Sequence, residues 1–138
     1  MAAPRFHRLT LADVRRETPD AVSLAFAVPP ALRPEFGFTA GQYLTLRATI
    51  DGEEVRRSYS ICSGESDEEL RIAIKRVEDG VFSRWATETL RAGDAVEVMT
   101  PTGRFGIPAG EGARLHLGFA AGSGITPLLS IVRTVLAR

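Results

Sequence analysis

Arg57-Ser58-Tyr59-Ser60-Ile61-Cys62-Ser63 closes an alternating run, and the reading of the whole chain works outward from it. Side chains in a strand point to opposite faces with a period of two. Arg57 and Tyr59 therefore share one face, and Ser58 and Ser60 the other. At the end of such a strand a ligand can meet a cation, a flat apolar surface and a hydroxyl together. That set suits a molecule with an anionic tail and a planar polar ring, and flavin nucleotides are of this kind.

Tyr43 to Ile50 alternates in the same way just upstream, and Asp51-Gly52 stands between the two runs, which is a strong hairpin signal. His7 to Val14 and Ala21 to Val28 read as earlier strands, joined by a turn at Glu17-Thr18-Pro19-Asp20. Pro29-Pro30 ends the second of them, and Pro34 and Gly37 keep the following loop irregular. Downstream, Ser63 to Glu69 is polar and acidic and reads as a solvated loop. Leu70 to Val77 and Ala95 to Met99 read as strands. Between these two the period changes: Phe82, Trp85, Ala86, Thr89 and Leu90 form the stripe of a short amphipathic helix. Gly80 precedes that helix and Gly93 is placed to stop it. Pro101-Thr102-Gly103 turns the chain, and Pro108 to Gly112 reads as a linker. About six short strands and one small helix predict a mainly β fold, an antiparallel barrel capped by a helix, over residues 5–110.

Residues 113–138 differ in kind. Leu115 to Ala121 is apolar apart from His116 and reads as a buried strand of the parallel sort. Gly122-Ser123-Gly124 makes a turn, and Thr126-Pro127 opens a helix carrying Leu128, Leu129, Ile131, Val132, Val135 and Leu136. Strand, glycine turn and helix are the opening of an α/β nucleotide-binding unit, expected here as a truncated one. Without the rest of a sheet, Leu128, Leu129, Val132 and Leu136 are expected to be exposed.

Composition excludes several classes. Seventeen basic residues balance seventeen acidic ones in 138, so no overall field favours nucleic acid or an anionic membrane. The single cysteine, Cys62, cannot build an internal disulfide, an iron–sulfur cluster or a zinc site. No segment approaches the roughly 18 unbroken apolar residues of a membrane span, and no signal-peptide core stands at the N-terminus. A cytoplasmic protein without a metal, nucleic acid or a membrane as partner is the expectation.

Each candidate residue also has a plain structural reading. Arg57 alone is as well explained as a surface charge, but beside Tyr59 and Ser60 its guanidinium suits phosphate oxygens. Tyr59 alone reads as a core aromatic; in company it reads as a platform for a planar ring. Gly80-Val81-Phe82-Ser83 lies where a loop becomes a helix, a point that offers free N–H groups to an anion, although Ser83 also reads as an N-cap and Gly80 as a turn. Gly122-Ser123-Gly124 is equally a tight strand-to-helix connection, and Thr126 equally a cap. Cys62 reads as a small packed apolar residue. Neither His7 nor His116 belongs to a recognisable catalytic set.

Four ordered motifs carry a resemblance. The opening heptapeptide, Gly80-Val81-Phe82-Ser83, Pro101-Thr102-Gly103-Arg104-Phe105 and Ala121-Gly122-Ser123-Gly124-Ile125-Thr126-Pro127 resemble, in order and spacing, those of the ferredoxin–NADP⁺ reductase superfamily. Within it, Ser58 to Cys62 and Phe82-Ser83-Arg84 are most similar to the reductase subunits of ring-hydroxylating complexes of the phenylacetyl-CoA epoxidase type, which serve phenylacetate catabolism. The resemblance implies a six-stranded Greek-key FAD-binding barrel followed by the first β-α unit of an NAD(P)-binding domain. It implies FAD, with its pyrophosphate held by Arg57 and by Gly80, Val81, Phe82 and Ser83. Ser58 belongs to the same cofactor motif. Tyr59 would lie along the flavin, and Ser60 would hydrogen-bond near N5, the atom that accepts hydride. Lys75, Arg76 and Val77 would supply main-chain contacts, and Thr126 would approach from the second domain. Ala40 stands where the family often has proline. NADH or NADPH as electron donor, an iron–sulfur domain or protein, and an oxygenase component are the partners it implies.

Overall fold

The computed structural model describes residues 5–107 and 112–138, so most of the Pro108–Gly112 linker lies outside the described residues. Six antiparallel strands form one sheet: β1 (Phe6–Thr18), β2 (Ala21–Ala27), β3 (Tyr43–Ile50), β4 (Glu53–Ser60), β5 (Leu70–Lys75) and β6 (Ala95–Met99). Two helices are α1 (Val81–Thr89), between β5 and β6, and α2 (Ile125–Leu136), at the end. The sheet order β4-β3-β6-β1-β2-β5 inserts β6 between two earlier strands, so the chain crosses over in the Greek-key manner.

The sheet curls until its edge strands meet at one end. Ile61 pairs with Ile72, and the Cys62 N–H donates to the Arg71 carbonyl at 2.9 Å, just past the end of β4. The half-barrel encloses Leu9, Leu11, Leu24, Leu44, Leu46, Ile72, Ile74 and Val98, all fully buried. These are the alternate positions of their strands, which is why the period-two pattern was legible. Phe82 of α1 is also fully buried and plugs the open side, with Ala86 and Leu90 behind it. Burying one such side chain stabilises the fold by about 1.5–3 kcal/mol.

The expected strands are all present in the barrel, with shifted ends. β1 runs to Thr18, beyond the Val14 read from the sequence, because register shifts after Leu11 and after Arg16 break the alternation but not the pairing with β2. β5 stops at Lys75. Arg76 and Val77 leave the sheet, their N–H groups donating to the Asp20 carbonyl and to Ser83 Oγ. The Asp51-Gly52 hairpin has φ of 50° and 80°, the paired positive angles of the tight turn that Asp-Gly favours. Gly93 does not cap α1. The helix ends at Thr89, and Gly93, at φ 95°, turns the chain toward β6 while its N–H donates to the Leu11 carbonyl.

Two expectations need correction. Leu115 to Ala121 forms no strand, and Leu115, Leu117 and Phe119 are 87%, 77% and 91% exposed. An apolar run becomes a buried parallel strand only when neighbouring strands pair with it, and the described residues contain none in that place. The Ser63–Glu69 loop is not solvated throughout, since Ser63 and Gly64 are buried beneath α2. On α2 itself Ile125, Leu129, Val132 and Leu136 are exposed, Leu128 is half-buried, and the covered face is Ser130, Ile131 and Thr134. No described helix is long and apolar enough to cross a membrane.

Candidate flavin site

β4 is an edge strand, so one side of its backbone is free of a partner strand along Glu53–Ser60. Its register with β3 decides which way each side chain faces. Tyr59 lies opposite the buried Leu44 and Arg57 opposite the buried Leu46, so both belong to the concave face. Ser58 lies opposite Thr45, its Oγ 2.8 Å from Thr45 Oγ1 on the outer face, and Ser60 lies opposite Tyr43 on that same outer face. A ligand that touches both Tyr59 and Ser60 must therefore run along the free edge, where both faces are within reach.

The Tyr59 ring is half-buried. It rests on the core through Phe82, with ring centroids 6.0 Å apart and planes tilted by 35°, and Phe82 in turn meets Trp85 edge-on at 5.3 Å. Burial raises the Tyr59 phenol above its ordinary pKa, against a smaller lowering by Arg57, so the ring stays neutral at physiological pH. Arg57 is exposed. Its Nη1 donates to the neighbouring Arg56 carbonyl at 2.7 Å, and no carboxylate among the described residues pairs with it. By contrast Arg56 on the opposite face is tied to Glu54 at 2.8 Å and stands over the Phe6 ring.

The start of α1 faces the same edge. An open depression of about 510 Å³, lined also by Asp51, Glu53, Glu54 and Arg56, joins Arg57 to Val81, the first residue of the helix. Gly80 is the N-cap and no side chain caps the helix, which leaves the first-turn N–H groups of Val81, Phe82 and Ser83 for an anion. Gly80 is required by space: a Cβ there would overlap Ser83 Oγ and stand 3.0 Å from the Val77 carbonyl oxygen. Ser83 is not the cap. Its buried Oγ accepts the Val77 N–H at 3.0 Å and locks the turn between β5 and α1. Arg76 of that turn reaches Glu88 on α1 at 3.3 Å, while Lys75 is exposed at the end of β5.

The structure thus brings Arg57, Tyr59, Val81 and Phe82 together, with Ser83 and Val77 fixing the helix start and Ser60 at the end of the same edge. Ser58 faces away. Thr126 is half-buried and donates to the Ser123 carbonyl at 3.2 Å, and no hydrogen bond joins it to β4. The Pro101–Phe105 motif is adjacent to the site through Tyr43, which exchanges backbone hydrogen bonds with Thr102 at 2.9 and 3.1 Å while pairing with Ser60. A larger cavity of about 900 Å³, lined by Arg8, Phe26, Phe36 and Glu68 among others, shares no residue with the flavin edge. Cys62 is buried, and that burial pushes its thiol above the usual pKa, which fits packing and not nucleophilic chemistry. Among the described residues no group of three His, Cys, Asp or Glu side chains is arranged to hold a metal ion.

The sequence reading missed the polar seam under α2. Ser130 Oγ donates to the Ser63 carbonyl at 2.6 Å, and Thr134 Oγ1 accepts the Glu65 N–H at 3.0 Å. Arg133 Nε donates to Asp67 Oδ2 at 2.6 Å. The signal was present: Ser130, Arg133 and Thr134 recur at i, i+3 and i+4 on an otherwise apolar helix, which puts three polar residues on one face.

These features, an unpaired guanidinium, a ring shelf and an uncapped helix start, are together suited to a ligand with an anionic group and a planar ring. Comparison with known proteins gives the class. The family model described as "Oxidoreductase FAD-binding domain" matches residues 8–107, and the chain belongs to that family. It is 51% identical over 132 residues to the E component of 1,2-phenylacetyl-CoA epoxidase from Escherichia coli K12, covering 95% of this chain and 37% of that protein. It is 39% identical over 132 residues to the ferredoxin reductase component of 3-ketosteroid-9-alpha-monooxygenase from Rhodococcus rhodochrous, covering 94% and 37%. Among solved structures it superposes on phthalate dioxygenase reductase with a TM-score of 0.72 and 32% identity, over 96% of this chain and 40% of that one. The chain therefore spans a little over a third of the length of these relatives. It is an FAD-binding oxidoreductase domain of the ferredoxin reductase type.

Proposed function

We propose that the chain is the flavin module of an NAD(P)H-dependent reductase that passes electrons, through an iron–sulfur centre, to a cytoplasmic oxygenase of the phenylacetate-degrading type. The carrying observation is that the exposed Arg57, without a carboxylate partner among the described residues, shares one depression with the uncapped start of α1 at Val81. Arg57 and the helix start supply positive potential on one side of a depression whose other lining includes Asp51, Glu53 and Glu54, so a pyrophosphate is favoured at the Arg57–Val81 side. FAD, when bound, supplies acceptance of two electrons and their release one at a time. The chain's own residues bind and orient. Arg57 and the N–H groups of Val81, Phe82 and Ser83 hold the phosphates; Tyr59, braced by Phe82, shields one ring face; the Ser60 hydroxyl donates a hydrogen bond at the N5 edge. The relatives named above support the electron-transfer role, since their names describe a component of an epoxidase and a ferredoxin reductase component. Stopped-flow reduction of the FAD-loaded chain by NADH tests the Ser60 role. Ser60→Ala should slow flavin bleaching at least tenfold, on the order of 1.4 kcal/mol, with FAD affinity kept within about threefold. Unchanged bleaching would remove Ser60 from the chemistry.

A second reading is a flavin-binding module whose turnover needs further polypeptide. It is favoured by the exposed apolar surface of Leu115, Leu117, Phe119, Leu129, Val132 and Leu136, which suits cover by more protein. Rapid bleaching by low NADH would oppose this reading; a chain that binds FAD but is not bleached would favour it.

A further inference from the structure

The contact between α2 and the barrel is polar where most helix docking is apolar. Of the residues α2 buries, two are hydroxylated, Ser130 and Thr134, and one is aliphatic, Ile131. Ser130 is fully buried, and its Oγ donates to the Ser63 carbonyl at 2.6 Å. Thr134 is nearly so; its Oγ1 accepts the Glu65 N–H at 3.0 Å and donates to the Ser130 carbonyl at 2.8 Å. Arg133 closes the seam on Asp67, whose Oδ2 also accepts the Gly64 N–H at 2.7 Å. Gly64 is tightly packed, because a Cβ there would stand 3.0 Å from Arg133 Cβ and push α2 outward by a few tenths of an ångström.

The far side of this seam is continuous with the flavin edge. Ser63 lies three residues beyond Ser60, and the run between them is fixed by backbone bonds from Ile61 N–H to the Gln42 carbonyl and from Cys62 N–H to the Arg71 carbonyl. Ser63 Oγ accepts the Arg71 N–H at 3.1 Å, so its carbonyl presents a rigid acceptor to α2. On the helix, Thr126 is one turn before Ser130, about 6 Å along the axis.

We infer that Ser130 and Thr134 are positioning residues: through Ser63 and Glu65 they set where the Gly122–Thr126 turn stands relative to the flavin edge. Directional hydrogen bonds fix one pose, whereas an apolar contact of this size would let the helix slide. This rests on the reading of Arg57–Ser60 as the flavin strand, and the experiment separates the two. Hydrogen–deuterium exchange is measured on the FAD-loaded chain for wild type, Ser130→Ala and the near-isosteric Thr134→Val. Iodide quenching of the bound-flavin fluorescence is recorded on the same samples. Each variant should exchange the amides of 125–136 and 63–67 about tenfold faster, leave those of 54–59 unchanged, and keep FAD affinity within about twofold. Quenching by iodide should rise about twofold, because a displaced turn opens the flavin to solvent; a helix contact of merely structural value would not move it. Unaltered exchange of α2 in both variants would overturn the seam. Faster exchange with unaltered quenching would overturn the positioning role. A wild-type chain that bound no FAD would instead remove the flavin reading and the positioning role with it, while the exchange data still decided the seam.

Discussion

Arg57→Ala tests the phosphate site with an internal control one residue away. Arg57 makes a single hydrogen bond, to its neighbour's carbonyl, and is exposed without a carboxylate partner among the described residues. Its removal should leave stability within about 0.5 kcal/mol, as is usual for a surface change. If the guanidinium holds a phosphate, the loss is that of a charge-assisted hydrogen bond, about 1.5–3 kcal/mol, which is roughly a 10- to 150-fold rise in the FAD dissociation constant. Arg56→Ala removes the same charge from a residue that also borders the depression but whose guanidinium is paired with Glu54 and stacked over Phe6. Its effect on FAD should be below about threefold. Fluorescence titration of FAD into each variant at two salt concentrations gives the constants, and thermal melts give the stabilities. The wild type and Arg56→Ala should weaken more steeply with salt than Arg57→Ala, since the latter has lost a phosphate contact. Equal effects of the two arginines would show that only net charge matters and would refute the assignment.

Gly41→Ala should destabilise the barrel by about 1–3 kcal/mol and lower the melting temperature by several degrees, because Gly41 sits at φ 103° and a Cβ there would overlap the Phe105 carbonyl oxygen; a melt within 1–2 °C of wild type, on the order of experimental scatter, would show that the 101–107 loop is free to move. The seam under α2 should loosen in acid. The hydrogen bond from Arg133, helped by the Gly64 N–H, holds the Asp67 carboxyl below its ordinary value of 3.8. A depressed folded pKa contributes stability that is fully present above the ordinary value and is lost as pH falls through the folded one. Proteolysis within α2 should therefore be flat down to about pH 4 and rise below it, and Asp67→Asn should remove the pH step. A step that persists in that variant would assign it elsewhere.

Local physics wrote most of the barrel into the sequence. Alternation marks a strand half-buried on one face, and Leu44, Leu46, Ile72 and Ile74 stand at the alternate positions that the core requires. The Asp51-Gly52 turn needs positive φ at both residues, a demand that is visible in two letters. The helix stripe and its glycine start were equally local, which is why a helix beginning just after Gly80 could be read without coordinates. Tyr59 and Ser60 were legible as neighbours on the two faces of one strand, but not as lying at a free edge; strand order decides that, and order depends on pairing between distant segments.

Tertiary structure alone decided the remainder. An apolar run such as Leu115 to Ala121 carries no information on whether its partner strands are present, so burial read from composition failed there. Ser83 read as a cap, yet the fold commits its hydroxyl to Val77 across the turn. Ser63 and Gly64 look like loop residues in sequence and become buried only because α2 lies on them. Periodicity reports how a segment wants to hide its own apolar side. It does not report what will lie against it, and in this chain that second fact sets α2 on Ser63 and Gly64, just past the end of β4.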